Sequence, residues 1–233
     1  MDLKNKIAVI TGVSKGIGHA TALQLLEAGS TVFGLGRNNN ISHPNYTFIT
    51  CNVSNAQQVE NAFKSIYQST NNQIHILINN AGLGYFGMLE DVPYEQWDEM
   101  FGTNVNGIFY CCKNALPAMK KNQMGHIINI ASTAALEGMP QVSAYCATKW
   151  AVKGLSESLF REVRDFGIKV TCIYPGSTKT DFFRNSPGIK PHDYMLMPED
   201  VASNIIYALQ MPANFHTVNL EIRPLQPKGP KQA

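Results

Sequence analysis

Long apolar runs are missing from this 233-residue chain: no stretch approaches the roughly 18 apolar residues that a membrane-spanning helix needs. Charge of one sign is scarce as well. Nineteen Lys and Arg stand against 17 Asp and Glu, a formal net charge of +2. No basic run extends beyond Lys120-Lys121 and the sparse tail around Lys228 and Lys231. Neither nucleic acid nor an anionic membrane is therefore expected as a partner. The five cysteines (Cys51, Cys111, Cys112, Cys146, Cys172) are odd in number and lack metal-ligand spacing. They read as reduced cytosolic thiols, and no metal site is expected. The opening Met1-Asp2-Leu3-Lys4-Asn5-Lys6 lacks the order of a secretory leader. The expected location is therefore cytoplasmic, and the glycosylation patterns at Asn45 and Asn52 read as chance matches. Repeats and linkers are also lacking, so residues 1–233 read as a single domain.

What is present is an apolar fraction of 44%, enough for a sizeable core. Strand and helix patterns alternate along it. Strands are expected at Lys6 to Thr11, Thr31 to Leu35, Tyr46 to Thr50, Ile74 to Ile78, Gly125 to Ala131, Ile168 to Ile173 and Thr217 to Ile222. Helices are expected at Ile17 to Ala28, Ala56 to Tyr67, Tyr94 to Lys121, Ala144 to Asp165 and Pro198 to Leu209. Several strands are apolar at successive positions, as when both faces are covered. The pattern predicts a doubly wound, mostly parallel α/β sheet of about seven strands in three layers. Between residues 38 and 46 the crossover is too short for a regular helix, so it is expected to have lost one. Residues 225–233 read as a loose tail.

Thr11-Gly12-Val13-Ser14-Lys15-Gly16-Ile17-Gly18 lies between the first strand and the first helix. Glycine permits a tight turn and close approach to a pyrophosphate, and the helix start offers free N–H groups. Sites for NAD usually place a carboxylate about 20 residues further on. Here no Asp or Glu occurs between Glu27 and Glu60. Lys15 and Arg37 stand there instead, which suits the 2′-phosphate of NADP(H). The bland reading leaves both as solvated surface residues.

Tyr145-Cys146-Ala147-Thr148-Lys149 puts Tyr145 and Lys149 one turn apart on a helix face. Alone, such spacing is commonplace and usually structural. A cation about 4 Å from a phenol, at an effective dielectric near 20, would supply roughly the 4 kcal/mol needed to bring its pKa toward 7. Ser132 lies 13 residues upstream of Tyr145, at the end of a predicted strand, where parallel sheets bind ligands.

Taken together, these motifs resemble the short-chain dehydrogenase/reductase family across nearly the whole chain. The matching features are the Thr11 to Gly18 turn, Asn79-Asn80-Ala81-Gly82, Asn104, Ser132, the Tyr145/Lys149 pair, and Pro175-Gly176 followed by Thr180. The resemblance implies a Rossmann-type oxidoreductase using NADP(H) on a ketone or aldehyde carbonyl, or on the secondary alcohol in reverse. It implies that Tyr145 moves the proton, Ser132 holds the oxygen, Lys149 tunes Tyr145 and binds ribose, and Asn104 anchors a water. It assigns the cofactor to Gly12, Ser14, Lys15, Gly16, Ile17, Gly18, Arg37, Asn52, Val53, Asn80, Ala81, Gly82, Pro175, Gly176, Thr178 and Thr180, besides Tyr145 and Lys149. Plain readings stand beside these: Ser132 as a turn cap, Asn80 as a turn residue, Asn104 as a helix irregularity. Asn52, Cys146 and Thr178 depart from the usual residues at their positions. Cys146 is not read as a nucleophile, though it could confer sensitivity to thiol reagents.

The small-molecule substrate should meet Leu83 to Met88, Ala134 to Val142, and a substrate loop at 181–197 with Gly188, Pro187 and Pro191. Tyr85, Phe86, Phe182, Phe183, Tyr194, Met195 and Met197 suggest an apolar or aromatic lining. The chain's ending is similar to sepiapterin-type reductases and to 3-hydroxy acid or serine dehydrogenases, with 3-oxoacyl reductases a further candidate. Other classes remain open: a non-catalytic NADP sensor, and a sugar-nucleotide epimerase or dehydratase, for which the chain leaves little room. Family members commonly pair through the helices near residues 94–121 and 144–166, so a homodimer or homotetramer is expected.

Overall fold

A computed structural model describes residues 1–182 and 192–228. Seven strands form one sheet: β1 (Ile7–Thr11), β2 (Thr31–Gly36), β3 (Tyr46–Thr50), β4 (Ile76–Asn79), β5 (Gly125–Ile130), β6 (Ile168–Pro175) and β7 (Asn219–Ile222). Their spatial order is β3-β2-β1-β4-β5-β6-β7, and every pairing is parallel. Helices α1 (Gly16–Glu27) and α6 (Pro198–Gln210) cover one face. Helices α2 (Ala56–Thr70), α4 (Gly107–Lys121) and α5 (Ser143–Val163) cover the other. α3 (Tyr94–Phe101) leads into α4.

Period-two alternation divides each strand between the two cores. In β1, Val9 enters the core with Phe63, Met119 and Val152, while Ala8 and Ile10 face Leu25, Val201 and Ile205. Because helices bury both faces, strand β5 is buried at all six of its residues. Local chemistry fixes several helix ends. The Asn55 side chain accepts from the backbone N–H of Gln58 at 3.0 Å, and Asn71 ends α2 in the left-handed region. Asp200 accepts from the N–H of Met197 at 2.8 Å, with Pro198 opening α6.

The chain begins at the sheet centre, runs outward through β2 and β3, then returns to β4 on the other side of β1. That reversal opens a crevice at the carboxyl ends of β1 and β4. The crossover from β2 to β3 lacks a helix, as the sequence predicts. It is tied down instead: Ile41 is buried, Ser14 Oγ donates to the Asn38 carbonyl at 2.6 Å, and the Asn40 amide donates to the Ser14 carbonyl at 2.8 Å.

The predicted unbroken helix from Tyr94 to Lys121 is corrected. A π turn at Gly102–Asn106 separates α3 from α4. The reason is tertiary. Asn104 must reach the backbone of Leu83, and Gly107 packs so closely that an added Cβ would lie 2.9 Å from Val53 Cγ2. One extra residue in the turn lets both contacts form. Of the expected tail, Leu225 to Lys228 are exposed, and the remainder lies outside the described residues.

Candidate active site

The glycine turn is shaped first by its own neighbours. Gly12 has φ +73°, and a Cβ there would lie 2.9 Å from both the Ala81 Cα and the Asn80 Nδ2. A Cβ on Gly18 would lie 2.3 Å from Asn80 Nδ2 and 2.4 Å from the Gly12 carbonyl. Only glycine leaves space for Asn80, which donates to the carbonyls of Thr11 and Gly12 at 3.0 and 3.1 Å. Thr11 Oγ1 in turn accepts from the N–H groups of Asn80 and Ala81 at 3.0 and 2.9 Å. The turn after β1 and the turn after β4 are therefore one braced unit. Asn80 serves this structure with its amide, as its plain reading suggested.

The start of α1 has no side-chain cap, since Lys15 at the N-cap makes no capping bond. Its orphan N–H groups fit a cradle for a pyrophosphate, with Gly12, Ser14, Gly16, Ile17 and Gly18 around it. Thr180 lies across this turn, its methyl carbon 3.2 Å from where a side chain on Gly16 would begin. Thr178 is buried, donates to the Gly176 carbonyl at 3.0 Å, and bridges to Leu196. Gly176 N–H donates to Ile222 at 2.7 Å, which anchors the Pro175-Gly176 turn to β7. Asn52 is exposed and accepts from Ser54, and Val53 is buried against Gly107.

Arg37 is exposed and makes no ion pair among the described residues. Lys15 differs from the sequence expectation of a cation without a carboxylate. Its Nζ lies 2.9 Å from Asp181, and both groups are mostly exposed. Asp181 is 166 residues away in sequence, so no local signal announced the contact.

Ser132, Tyr145, Lys149 and Asn104 converge beyond the ends of β4 and β5. Ser132 follows β5 and accepts from the Ala134 N–H at 3.2 Å, so it does cap a turn. Its hydroxyl also neighbours the Tyr145 phenol. Tyr145 and Lys149 lie in the first turns of α5, with Lys149 Nζ 5.6 Å from the centre of the Tyr145 ring. Lys149 donates to the Ile130 carbonyl at 2.9 Å. Asn104 is fully buried: it accepts from Leu83 N–H at 2.9 Å and donates to Leu83 O at 2.8 Å and to Thr148 Oγ1 at 3.1 Å. A Cβ built on Gly82 would stand 3.3 Å from Asn104 Oδ1 and 3.7 Å from Lys149 Nζ, so these groups share one small space. Thr11 and Thr148, absent from the predicted site, hold its parts in place.

Electrostatics correct one sequence argument. Burial pushes Tyr145 above the usual phenol range, against the opposing influence of Ser132. Burial also lowers Lys149 to about 8. The charge argument from spacing neglected desolvation, which favours the neutral form of both groups. In the chain by itself the phenol is held protonated.

The aromatic lining is present in part. Phe86 and Phe182 pack on Tyr145, with ring centres 5.4 and 5.5 Å away. Phe183, Pro187, Gly188 and Pro191 lie outside the described residues. A separate hollow of about 450 Å³, lined by Phe63, Tyr67, Phe109 and Lys113 between α2 and α4, is remote from this chemistry. All five cysteines are buried and unpaired, and no group of three or more potential metal ligands occurs among the described residues. No helix among the described residues is long and apolar enough to cross a membrane.

Comparison with known proteins agrees with this architecture. The chain is 34% identical over 232 residues to an uncharacterized oxidoreductase of Staphylococcus aureus strain MW2, covering 96% of this chain and 99% of that one. Among solved structures it is similar to an alcohol dehydrogenase from the archaeon Thermococcus sibiricus complexed with 5-hydroxy-NADP. That match has TM-score 0.88 and 27% identity, over 98% of this chain and 100% of that one. It is also similar to the closed form of a serine dehydrogenase complexed with NADP+, with TM-score 0.89 and 28% identity, over 97% and 98% of the two chains. The family model for short chain dehydrogenase matches residues 6–188. With its parallel sheet, braced glycine turn and matched sequence, this chain belongs to the short-chain dehydrogenase family and is an oxidoreductase of that family.

Proposed function

We propose that the chain is an NADP(H)-dependent enzyme that reduces a ketone or aldehyde carbonyl, or oxidises the secondary alcohol in reverse, with Tyr145 as the acid and base. The observation that carries this reading is the convergence of Ser132, Tyr145 and Lys149 next to the braced, uncapped start of α1. The neighbours solved with 5-hydroxy-NADP and NADP+ support the cofactor class.

NADPH, when bound, supplies the hydride. The uncapped N–H groups of α1 and the turn Gly12 to Gly18 would hold its pyrophosphate. Lys15 and Arg37 would bind the 2′-phosphate. Asn52 and Val53 would meet the adenine, Asn80, Ala81 and Gly82 the adenosine ribose, and Pro175, Gly176, Thr178 and Thr180 the nicotinamide end. Ser132 and Tyr145 donate hydrogen bonds to the substrate oxygen and orient it. Tyr145 passes its proton to that oxygen as negative charge develops there. The Lys149 ammonium stabilises the tyrosinate that remains, while Asn104 fixes the adjacent backbone and anchors a water at the Lys149 side. The buried, protonated phenol suits the reducing direction.

The half-exposed rings of Phe109 on α4 and Trp150 on α5 support pairing of two chains across these helices. By contrast, Leu159 belongs to the core, and Tyr110, Leu155 and Phe160 pack against it.

The test is NADPH consumption across a broad carbonyl panel. Tyr145→Phe should lower kcat by roughly 10²- to 10⁴-fold, far more than it weakens NADPH binding. NADPH binding by the parent chain with no turnover on any carbonyl would sink the catalytic reading and favour a cofactor sensor.

A further inference from the structure

The Tyr145 ring is only 6% exposed. Phe86 comes from the loop after β4, Phe182 from the segment after β6, and Tyr145 from α5. Their ring centres lie 5.4, 5.5 and 6.2 Å apart, and Phe86 meets Phe182 edge-on. Gly84 makes the floor on which both phenylalanine rings rest: a Cβ there would lie 2.9 Å from the Cζ of each. Leu83, Met100, Ala134 and Val142 belong to the same apolar cluster.

A substrate held by Ser132 and Tyr145 lies beside the Phe86 and Phe182 rings, which pack on that phenol. A flat aromatic group replaces the ring contacts it breaks with contacts of the same kind, at the same 4.5–7 Å spacing. A carboxylate would lose its hydration there and need a cation. Three described cations near the site have partners or roles already. Lys149 is held by the Ile130 carbonyl, Lys15 lies 2.9 Å from Asp181, and Arg223 lies 2.9 Å from Glu137. A carboxylate, Glu99, stands beside the aromatic cluster and accepts from the Tyr85 hydroxyl at 2.6 Å.

We propose that this site takes an uncharged aryl ketone or aldehyde, and that Phe86 and Phe182 are the residues that select it. The inference rests on the carbonyl-reductase reading above and names its substrate class. It separates this chain from dehydrogenases of 3-hydroxy acids, whose substrates carry a carboxylate one methylene from the reacting carbon.

The experiment compares kcat/KM at saturating NADPH for acetophenone, cyclohexyl methyl ketone and acetoacetate. Acetophenone is expected to exceed the cyclohexyl ketone by about tenfold and acetoacetate by at least about 100-fold, the range that a shaped apolar pocket achieves. Phe86→Ala and Phe182→Ala should each lower the acetophenone-to-cyclohexyl ratio about tenfold at unchanged NADPH affinity. Gly84→Ala should lower it too, because it lifts both rings without deleting either. Phe182→Leu, which keeps apolar bulk, covers the case in which the alanine variant fails to fold, and should lower the same ratio. A preference for acetoacetate, or a ratio that none of these variants moves, would overturn the substrate class and leave the reductase reading standing. Absence of NADPH consumption with all three ketones and with every other carbonyl tested would overturn both.

Discussion

At the scale of single residues, Tyr145 and Lys149 show how burial changes an argument drawn from spacing. Both lie in the first turns of α5, and both are driven toward their neutral forms. Lys149, with its pKa lowered to about 8, keeps its charge below that pH and loses it above. If its cation supports proton transfer by Tyr145, NADPH-dependent reduction should fall as pH rises past about 8. Lys149→Arg, which stays charged, should move that decline to higher pH even if the maximal rate is lower. A parent rate that stays flat to about pH 10 would contradict this. Arg37 gives a second residue-scale expectation. Arg37→Asp places a carboxylate where NADP would present its 2′-phosphate, so the preference for NADPH over NADH should drop at least about tenfold. Steady-state constants with both cofactors decide it. The residues of both predictions were legible in sequence. The Asp181 partner of Lys15 was not, because charge pairing across 166 residues leaves no local pattern.

At the scale of elements, the glycine turn and the π turn behave differently as signals. The turn could be read from Gly12, Gly16 and Gly18, because the positions requiring glycine are set by their spacing. The physical demand differs from the one expected, however. Gly12 and Gly18 make room for Asn80 of the same chain as well as for a ligand. Gly18→Ala would set a methyl group 2.3 Å from the Asn80 amide, so something must shift. Overpacking of this kind costs about 1–3 kcal/mol. Urea denaturation should show that loss, and NADPH titration should show weaker binding. An unchanged midpoint with unchanged affinity would remove the shared-brace account. The π turn left only a weak signal, the plain reading of Asn104 as a helix irregularity, since one extra residue in a long apolar-patterned helix hardly alters its periodicity. The hydrogen bonds from Asn104 to Leu83 and Thr148, with the close packing of Gly107 on Val53, require it.

At the scale of the whole molecule, stability is concentrated in two cores on either side of the sheet, and the buried strand β5 carries a titratable histidine. His126 on β5 is 1% exposed, and its Nε2 lies 2.8 Å from Thr171 Oγ1 while Nδ1 has no hydrogen-bond partner among the described residues. His216 stands 6.0 Å away ring to ring, and Lys169 and the amino group of Met1 add positive charge nearby. Burial, then these cations, lower His126 to about 3. Unfolding restores an ordinary imidazole that takes a proton near pH 6.5. Stability should therefore be fully present above about pH 6.5 and fall by up to about 1.4 kcal/mol per pH unit as pH drops toward 3. His126→Gln should flatten that slope between about pH 6.5 and 4.5 in urea titrations. Equal slopes in parent and variant would show that carboxylates, not this histidine, govern the acid side.

Sequence by itself determined the alternation of strands and helices, the missing crossover helix and the identity of the glycine turn. These follow from side-chain periodicity, chain length and backbone freedom, which act over a few residues. Tertiary structure alone decided the Lys15–Asp181 contact, the π turn at Asn104, the direction in which Tyr145 and Lys149 shift, and the three-ring cluster of Phe86, Tyr145 and Phe182. Each depends on groups from distant segments meeting in a place where water is excluded. Desolvation and packing there are properties of the enclosing volume, and local sequence patterns do not encode it.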